Sequence, residues 1–216
     1  MANAESATPN AVVAYSQNVR ARFMVLGFLA MGAAAALLLD VVTGPSSLSA
    51  AAVLKGVFDP SSLSTAQQAI VWQVRLPYAL MAALVGAALA LAGAEMQTVL
   101  NNPLASPFTL GVSSAASFGA SLAIVLGVGA GFIGSDWLVP LNAFVFAFGS
   151  VLALQALARM KGSGVENIVL FGIALVFAFN ALTALVQFLS SAEALQQLVF
   201  WTMGSLSRAT WGNVGG

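Results

Sequence analysis

Cysteine and histidine are both absent from the 216-residue chain. Their absence removes disulfides, thiol chemistry, the usual soft or borderline metal ligands, and the His or Cys of an activated nucleophile and its base. Charge is scarce as well. Charged residues make up 6% of the chain, seven basic against seven acidic, where a soluble domain carries about 25%. A balanced, sparse charge offers no basic footprint for nucleic acid. There is also no GxxxxGK[ST] phosphate loop, so ATP has no ordinary cradle here. What is abundant is apolar surface: 60% of residues are hydrophobic and the mean hydropathy is +0.95. The chain is therefore an integral membrane protein, and binding and passage remain where catalysis finds no support. No cofactor is expected, and a metal that crosses here travels inside a chelate.

Residues 1–19 are mostly small and polar and read as a cytoplasmic tail, leaving 20–216 as the membrane domain. Arg20 and Arg22 precede a run from Phe23 to Val42. A signal peptide begins in this way too, but about 17 uncharged residues before Asp40 exceed the usual hydrophobic core of 7–15, which favours an uncleaved first span. The two arginines place the N-terminus in the cytoplasm. A long loop, Thr43 to Val74, follows; Asp59-Pro60-Ser61-Ser62 is a helix-start signal, and STAQQAIVWQV predicts a surface helix leading into Pro77.

The chain is organised around residues 75–119. Leu76 to Ala94 is uncharged and close to the roughly 20 apolar residues that cross a bilayer, with Pro77 where a first-turn proline loses no hydrogen bond. Gln97, Asn101 and Asn102 end the apolar pattern, Pro103 biases Asn102 away from the helical region, and Pro107 breaks the chain again. A compact polar turn is predicted. Its backbone must lie at the membrane surface, in protein, or beside a water-filled path.

A third span is predicted over Leu110–Phe132. Gly111, Ala115, Gly119, Ala123, Gly127 and Gly131 recur every four residues, a pattern that lets helices approach closely in lipid. Four residues turn a helix by about 400°, so the ladder drifts about 40° per step and faces more than one neighbour. Ordinary alanine-rich membrane sequence is the plainer alternative. Asp136 interrupts the pattern, Pro140 opens a fourth span ending near Ala158, and Ile168–Leu189 is a fifth. Leu195–Met203, flanked by Trp201 and Trp211, reads as a short interfacial or re-entrant helix with its aromatics at headgroup depth. The fold class is all-α: a polytopic membrane helical bundle of about five transmembrane helices plus that short helix. Five crossings put the turns at 95–109 and 159–167 inside and the 190s outside. Arg20, Arg22, Arg159 and Lys161 then lie inside, against Lys55, Arg75 and Arg208 outside.

Several segments carry a more specific likeness. Arg75-Leu76-Pro77, Gly86-Ala87-Ala88-Leu89-Ala90 with Gly93, Gln97, Asn102-Pro103-Leu104-Ala105 with Pro107, and Leu110-Gly111-Val112-Ser113 together resemble the signature of FecCD-type permeases. Leu170-Phe171-Gly172-Ile173-Ala174-Leu175 and Trp201-Thr202-Met203-Gly204-Ser205-Leu206 continue it in order, from about Arg75 to Trp211. Those are membrane subunits of ATP-binding-cassette importers for iron(III) siderophores, haem and vitamin B12. The resemblance implies a ten-span protein of which this chain is the first half, by truncation, interruption, or completion by another polypeptide. It also implies a bacterial inner membrane, a second permease subunit (homo- or heterodimer), two ATPase subunits that hydrolyse the ATP, and an extracytoplasmic substrate-binding protein. The cargo most in keeping with it is an iron(III)-siderophore chelate, with vitamin B12 or haem as alternatives. An ion-coupled secondary transporter and an inactive membrane fragment are the readings from other classes.

Three candidates follow for function. A leucine projecting from a polar turn can close a pathway by excluding water, and the resemblance makes Asn102 and Leu104, with Ser163, Gly164, Val165 and Glu166 of the second inner turn, a cytoplasmic gate. The plainer alternative is an interhelical turn with a buried leucine. By resemblance Arg75 pairs with a carboxylate on the binding protein, although Tyr78 stands where some members carry a second arginine; a snorkelling arginine is the alternative. Glu95 is an intramembrane carboxylate suited to proton coupling, or to simple solvation or pairing with Arg159 or Lys161; Asp40 is treated alike. Gln97 and Gln187 are suited to hydrogen bonds between helices. Gly86, Gly93, Gly111, Gly119 and Gly127 are assigned to helix packing.

Overall fold

The computed structural model describes residues 9–43, 48–160 and 164–215. The regular structure assigned among them is helical. Two compact units divide the chain: residues 1–84 with 206–216, and residues 85–205.

The first unit begins with α1 (Pro9–Val42). The helix reaches back to Pro9, so residues 9–18 are helical where a loose tail was expected; residues 1–8 lie outside the described residues. A short helix, α2 (Ala50–Phe58), is capped by Ser49. The Asp59-Pro60 signal yields only a single 3-10 turn, Pro60–Ser62. The effective start lies at Ser64, where a reciprocal capping box with Gln67 opens α3 (Thr65–Ala69); such a box satisfies two orphan amides at once.

From there the helix does not stop. It widens into a π-helical stretch, Ile70–Arg75, and continues as α4 (Leu76–Val99), so that Thr65–Val99 is one run of 35 residues. Pro77 therefore stands inside a continuous helix and not in a first turn. The π stretch explains its tolerance. An interior proline collides with the carbonyl four residues back, and a wider turn immediately before it relieves that collision.

The core of this unit is Val41, Val53, Val71 and Ala79, with Leu37, Leu63, Trp72 and Leu76 packed around them. It is tied together by side-chain donors on the carbonyls that helix ends leave orphaned. The Trp72 indole donates to Gly56 O of α2 at 3.1 Å, and Arg75 Nη1 donates to Val41 O and Val42 O of α1, both at 2.9 Å.

The second unit packs α5 (Val112–Leu126) against α6 (Ser135–Ala158), α7 (Val165–Phe188) and α8 (Ala192–Met203). Phe118 of α5 lies edge-on to Phe146 of α6 at 5.1 Å and within 5.8 Å of Phe179 of α7. Asn18–Val42, Thr65–Val99, Ser135–Ala158 and Val165–Phe188 are long and apolar enough to span a membrane. The predicted third span is shorter than expected. At fifteen residues α5 is about 22 Å long, against roughly 30 Å of hydrocarbon.

Gly127 ends it. Its φ of +65° is the left-handed conformation that closes helices, with Gly127 N–H on Ala123 O and Val128 N–H on Leu122 O. Of the last two rungs of the small-residue ladder, Gly127 thus ends the helix where packing was expected, and Gly131 lies in the turn beyond it. The next span also begins earlier than Pro140, at Ser135, with Asp136 in its first turn, where the helix dipole favours an acid.

Candidate functional site

The polar turn after α4 is held by its own side chains. Asn101 adopts a φ of +45°, a conformation asparagine tolerates better than most residues. The Asn102 side-chain oxygen accepts from Leu104 N–H at 2.9 Å, and Ala105 N–H donates to Asn102 O; this is the side-chain turn that favours asparagine at such positions. The Thr109 hydroxyl then closes a second loop, accepting from Ser106 N–H and donating to Ser106 O. Two successive prolines and two side-chain-closed turns replace the missing helical bonds.

The turn's apolar residues divide sharply. Leu100, Ala105 and Leu110 are buried with Leu154 of α6, and Met96, Ile168, Phe171 and Leu175 pack against them. Leu104, by contrast, is 82% exposed. Among the described residues, then, nothing buries the central leucine of the turn. Three flanking anchors fix the loop while its central leucine projects.

Close backbone contact sets the turn against α7. A Cβ on Gly172 would lie 2.8 Å from Leu110 Cδ2 and 3.0 Å from Leu110 Cα, and one on Gly111 would lie 3.1 Å from both Leu175 Cβ and Val176 N. Gly111 also has a φ of +80°, so a side chain there is both crowded and strained. Of the second inner turn, Gly164 caps α7, and Val165 and Glu166 are exposed in its first turn. Ser163 lies outside the described residues. One turn further on, Ile168 enters the cluster that anchors the first turn, so the two turns share one apolar support.

The remaining candidates fall elsewhere. Arg75 is 7% exposed with its guanidinium on the last carbonyls of α1, so it is neither snorkelling nor displayed toward an outside partner. Glu95 is exposed on α4. Asp40 keeps one buried carboxylate oxygen without a hydrogen bond. Gly119 meets α6 directly, since a Cβ there would collide with the Asn142 backbone. Gly86 and Gly93 have nothing within 4 Å of a Cβ, and neither does Gly127, so these three do not pack helices together among the described residues. No group of three or more Asp or Glu that could hold a metal occurs among the described residues.

Asn142 is the residue that sequence reasoning missed. Buried in α6, its amide donates to Val128 O at 3.0 Å and Leu138 O at 2.8 Å, tying the end of the Gly127 turn to α6. The signal was available: an asparagine flanked by apolar residues inside a span is costly unless paired.

Comparison with known proteins places the chain in a family. The model of the FecCD transport family matches residues 32–215. The chain is 38% identical over 148 residues to the molybdate import system permease protein MolB of Haemophilus influenzae, covering 67% of this chain and 42% of that protein. It is 38% identical over 151 residues to the vitamin B12 import system permease protein BtuC of Klebsiella pneumoniae, covering 69% and 44%. A solved inward-facing structure, assigned to the metal-chelate type of ABC transporter, superposes with a TM-score of 0.71 at 30% identity, over 88% of this chain and 56% of that one. The chain thus spans less than half the length of the curated relatives it matches. With its described residues folded into long apolar helices, and with the family's motifs at the turn and its anchors, the chain belongs to the FecCD transport family and is a multi-pass inner-membrane protein.

Proposed function

We propose that this chain supplies the N-terminal portion of the membrane permease subunit of an ATP-binding-cassette importer, and that residues 101–107 form part of its cytoplasmic gate. The single observation that carries the reading is the contrast within the turn. Leu104 projects from a loop whose flanking residues Leu100, Ala105 and Leu110 are fixed in an apolar cluster. An apolar side chain on a rigid mount, meeting its counterpart from a second permease subunit across a two-fold axis, closes a path by dewetting it. Gly164, Val165 and Glu166 line the same mouth.

In this mechanism the permease makes no covalent change to its cargo. Two ATPase subunits hydrolyse ATP on the cytoplasmic side, a substrate-binding protein delivers cargo from outside, and reorientation of the helices opens the two mouths alternately. The cargo is a metal chelate moving inward, of the iron(III)-siderophore type. Support comes from the structural neighbour's metal-chelate assignment. The relatives' named cargoes, vitamin B12 and molybdate, make cargo a matter for assay.

Vesicles carrying this chain, the remaining half of a permease and the ATPase provide the test. Leu104→Ala raises passive leak of a ferric siderophore, and an unchanged leak removes the gate role. ATP hydrolysis stimulated by the ferric siderophore with its binding protein supports the cargo. Stimulation by cobalamin or haem instead reassigns it. Failure of the chain to co-purify with the ATPase overturns the importer reading, and transport that persists without ATPase but collapses with an uncoupler makes it ion-coupled.

A further inference from the structure

The Trp72 carbonyl is left without a donor by its own helix. In an α-helix it accepts from the amide of residue 76, but Leu76 N–H donates instead to Val71 O, five residues back. In a π-helix it accepts from the amide of residue 77, which here is proline and has no hydrogen. A carbonyl stranded in this way forfeits a helical hydrogen bond unless another donor reaches it. The Trp211 indole does: its Nε1 donates to Trp72 O at 2.6 Å, across 139 residues of sequence. Trp211 opens the short helix α9 (Trp211–Gly215) and belongs to the same compact unit as Trp72.

We infer that Trp211 is a positioning residue that holds residues 70–75 in the π register, so that docking of α9 and widening of the helix depend on one another. Leu76 N–H serves one carbonyl. If it returned to Trp72 O, the stretch would become α-helical and the indole would share an acceptor that it now serves alone. That change of one residue in register turns the side chains on either side of the stretch by about 100° relative to one another, enough to take Arg75 off Val41 O and Val42 O. The C-terminal segment thereby governs whether the end of α1 stays capped. None of this depends on the transport reading.

The test uses the whole chain in lipid nanodiscs. Trp72-Gln73 is the sole Trp-Gln pair in the sequence, so carbonyl-13C tryptophan combined with 15N glutamine isolates the Trp72 carbonyl by NMR. Trp211→Phe, which keeps the ring and removes the donor, moves that carbonyl signal upfield and lowers the melting temperature by roughly 2–4 °C, the scale of one lost hydrogen bond in a chain of this size. In a Pro77→Ala background the same substitution moves both markedly less, because an amide at 77 or 76 then also serves Trp72 O. Equal effects of Trp211→Phe in both backgrounds, or an unmoved carbonyl signal, overturn the inference.

Discussion

At the scale of single residues, the most consequential placement is that of Arg75. A guanidinium buried on two terminal carbonyls of α1 carries structure, because each charge-assisted bond is shorter and stronger than a neutral one and helix-end carbonyls otherwise go unpaired. Arg75→Met is expected to destabilise the first unit by about 1–3 kcal/mol, read as a lower melting temperature in detergent, before any loss of binding-protein association is measured. Glu193 shows a gentler electrostatic effect. Its own backbone amide and the Ser191 hydroxyl hold its carboxyl below the ordinary carboxylate value at the start of α8. A lowered folded value stabilises above the ordinary pKa and is lost as pH falls through the folded one. The protection of the amides in the first turn of α8, taken relative to their intrinsic exchange at each pH, should therefore fall on acidification, and Glu193→Gln should abolish that dependence. Neither role was legible in the sequence: an arginine before a proline reads as surface charge until its partner 33 or 34 residues earlier is known.

At the scale of elements, glycines with the same appearance do three different things. Gly119 permits backbone contact between α5 and α6, Gly127 terminates α5 in a left-handed conformation, and Gly86 stands in open space on α4. Gly119→Ala should be strongly destabilising because its methyl meets the Asn142 backbone and not a flexible side chain. Gly86→Ala should instead be neutral or stabilising by about 0.5–1 kcal/mol, as expected for a helix interior. Paired melting curves in nanodiscs distinguish them, and equal destabilisation would mean that something covers α4. The four-residue spacing placed Gly111, Ala115, Gly119 and Ala123 correctly on a buried face. It also extended the pattern past its physical end, because spacing alone does not separate a packing glycine from a helix-ending one. Gly127, Gly129 and Gly131 in close succession were the overlooked sign of a break.

At the scale of the whole molecule, the open question is direction. The chain contains no cysteine, so Leu104→Cys is the only thiol in its variant, and its exposed position makes it reachable. In sealed right-side-out vesicles an impermeant maleimide should leave it unlabelled until the membrane is opened; labelling from outside would reverse the orientation and the proposed traffic with it. The sequence by itself determined the solvent, the approximate spans and the position of the central turn, because hydropathy and proline act locally and need no partner to be read. Only the tertiary structure decided that Leu104 projects while Leu100, Ala105 and Leu110 anchor, that Arg75 caps α1, and that the helix before Pro77 widens. Each of these is settled by which distant carbonyl, backbone or apolar cluster comes within reach, and sequence spacing does not record reach.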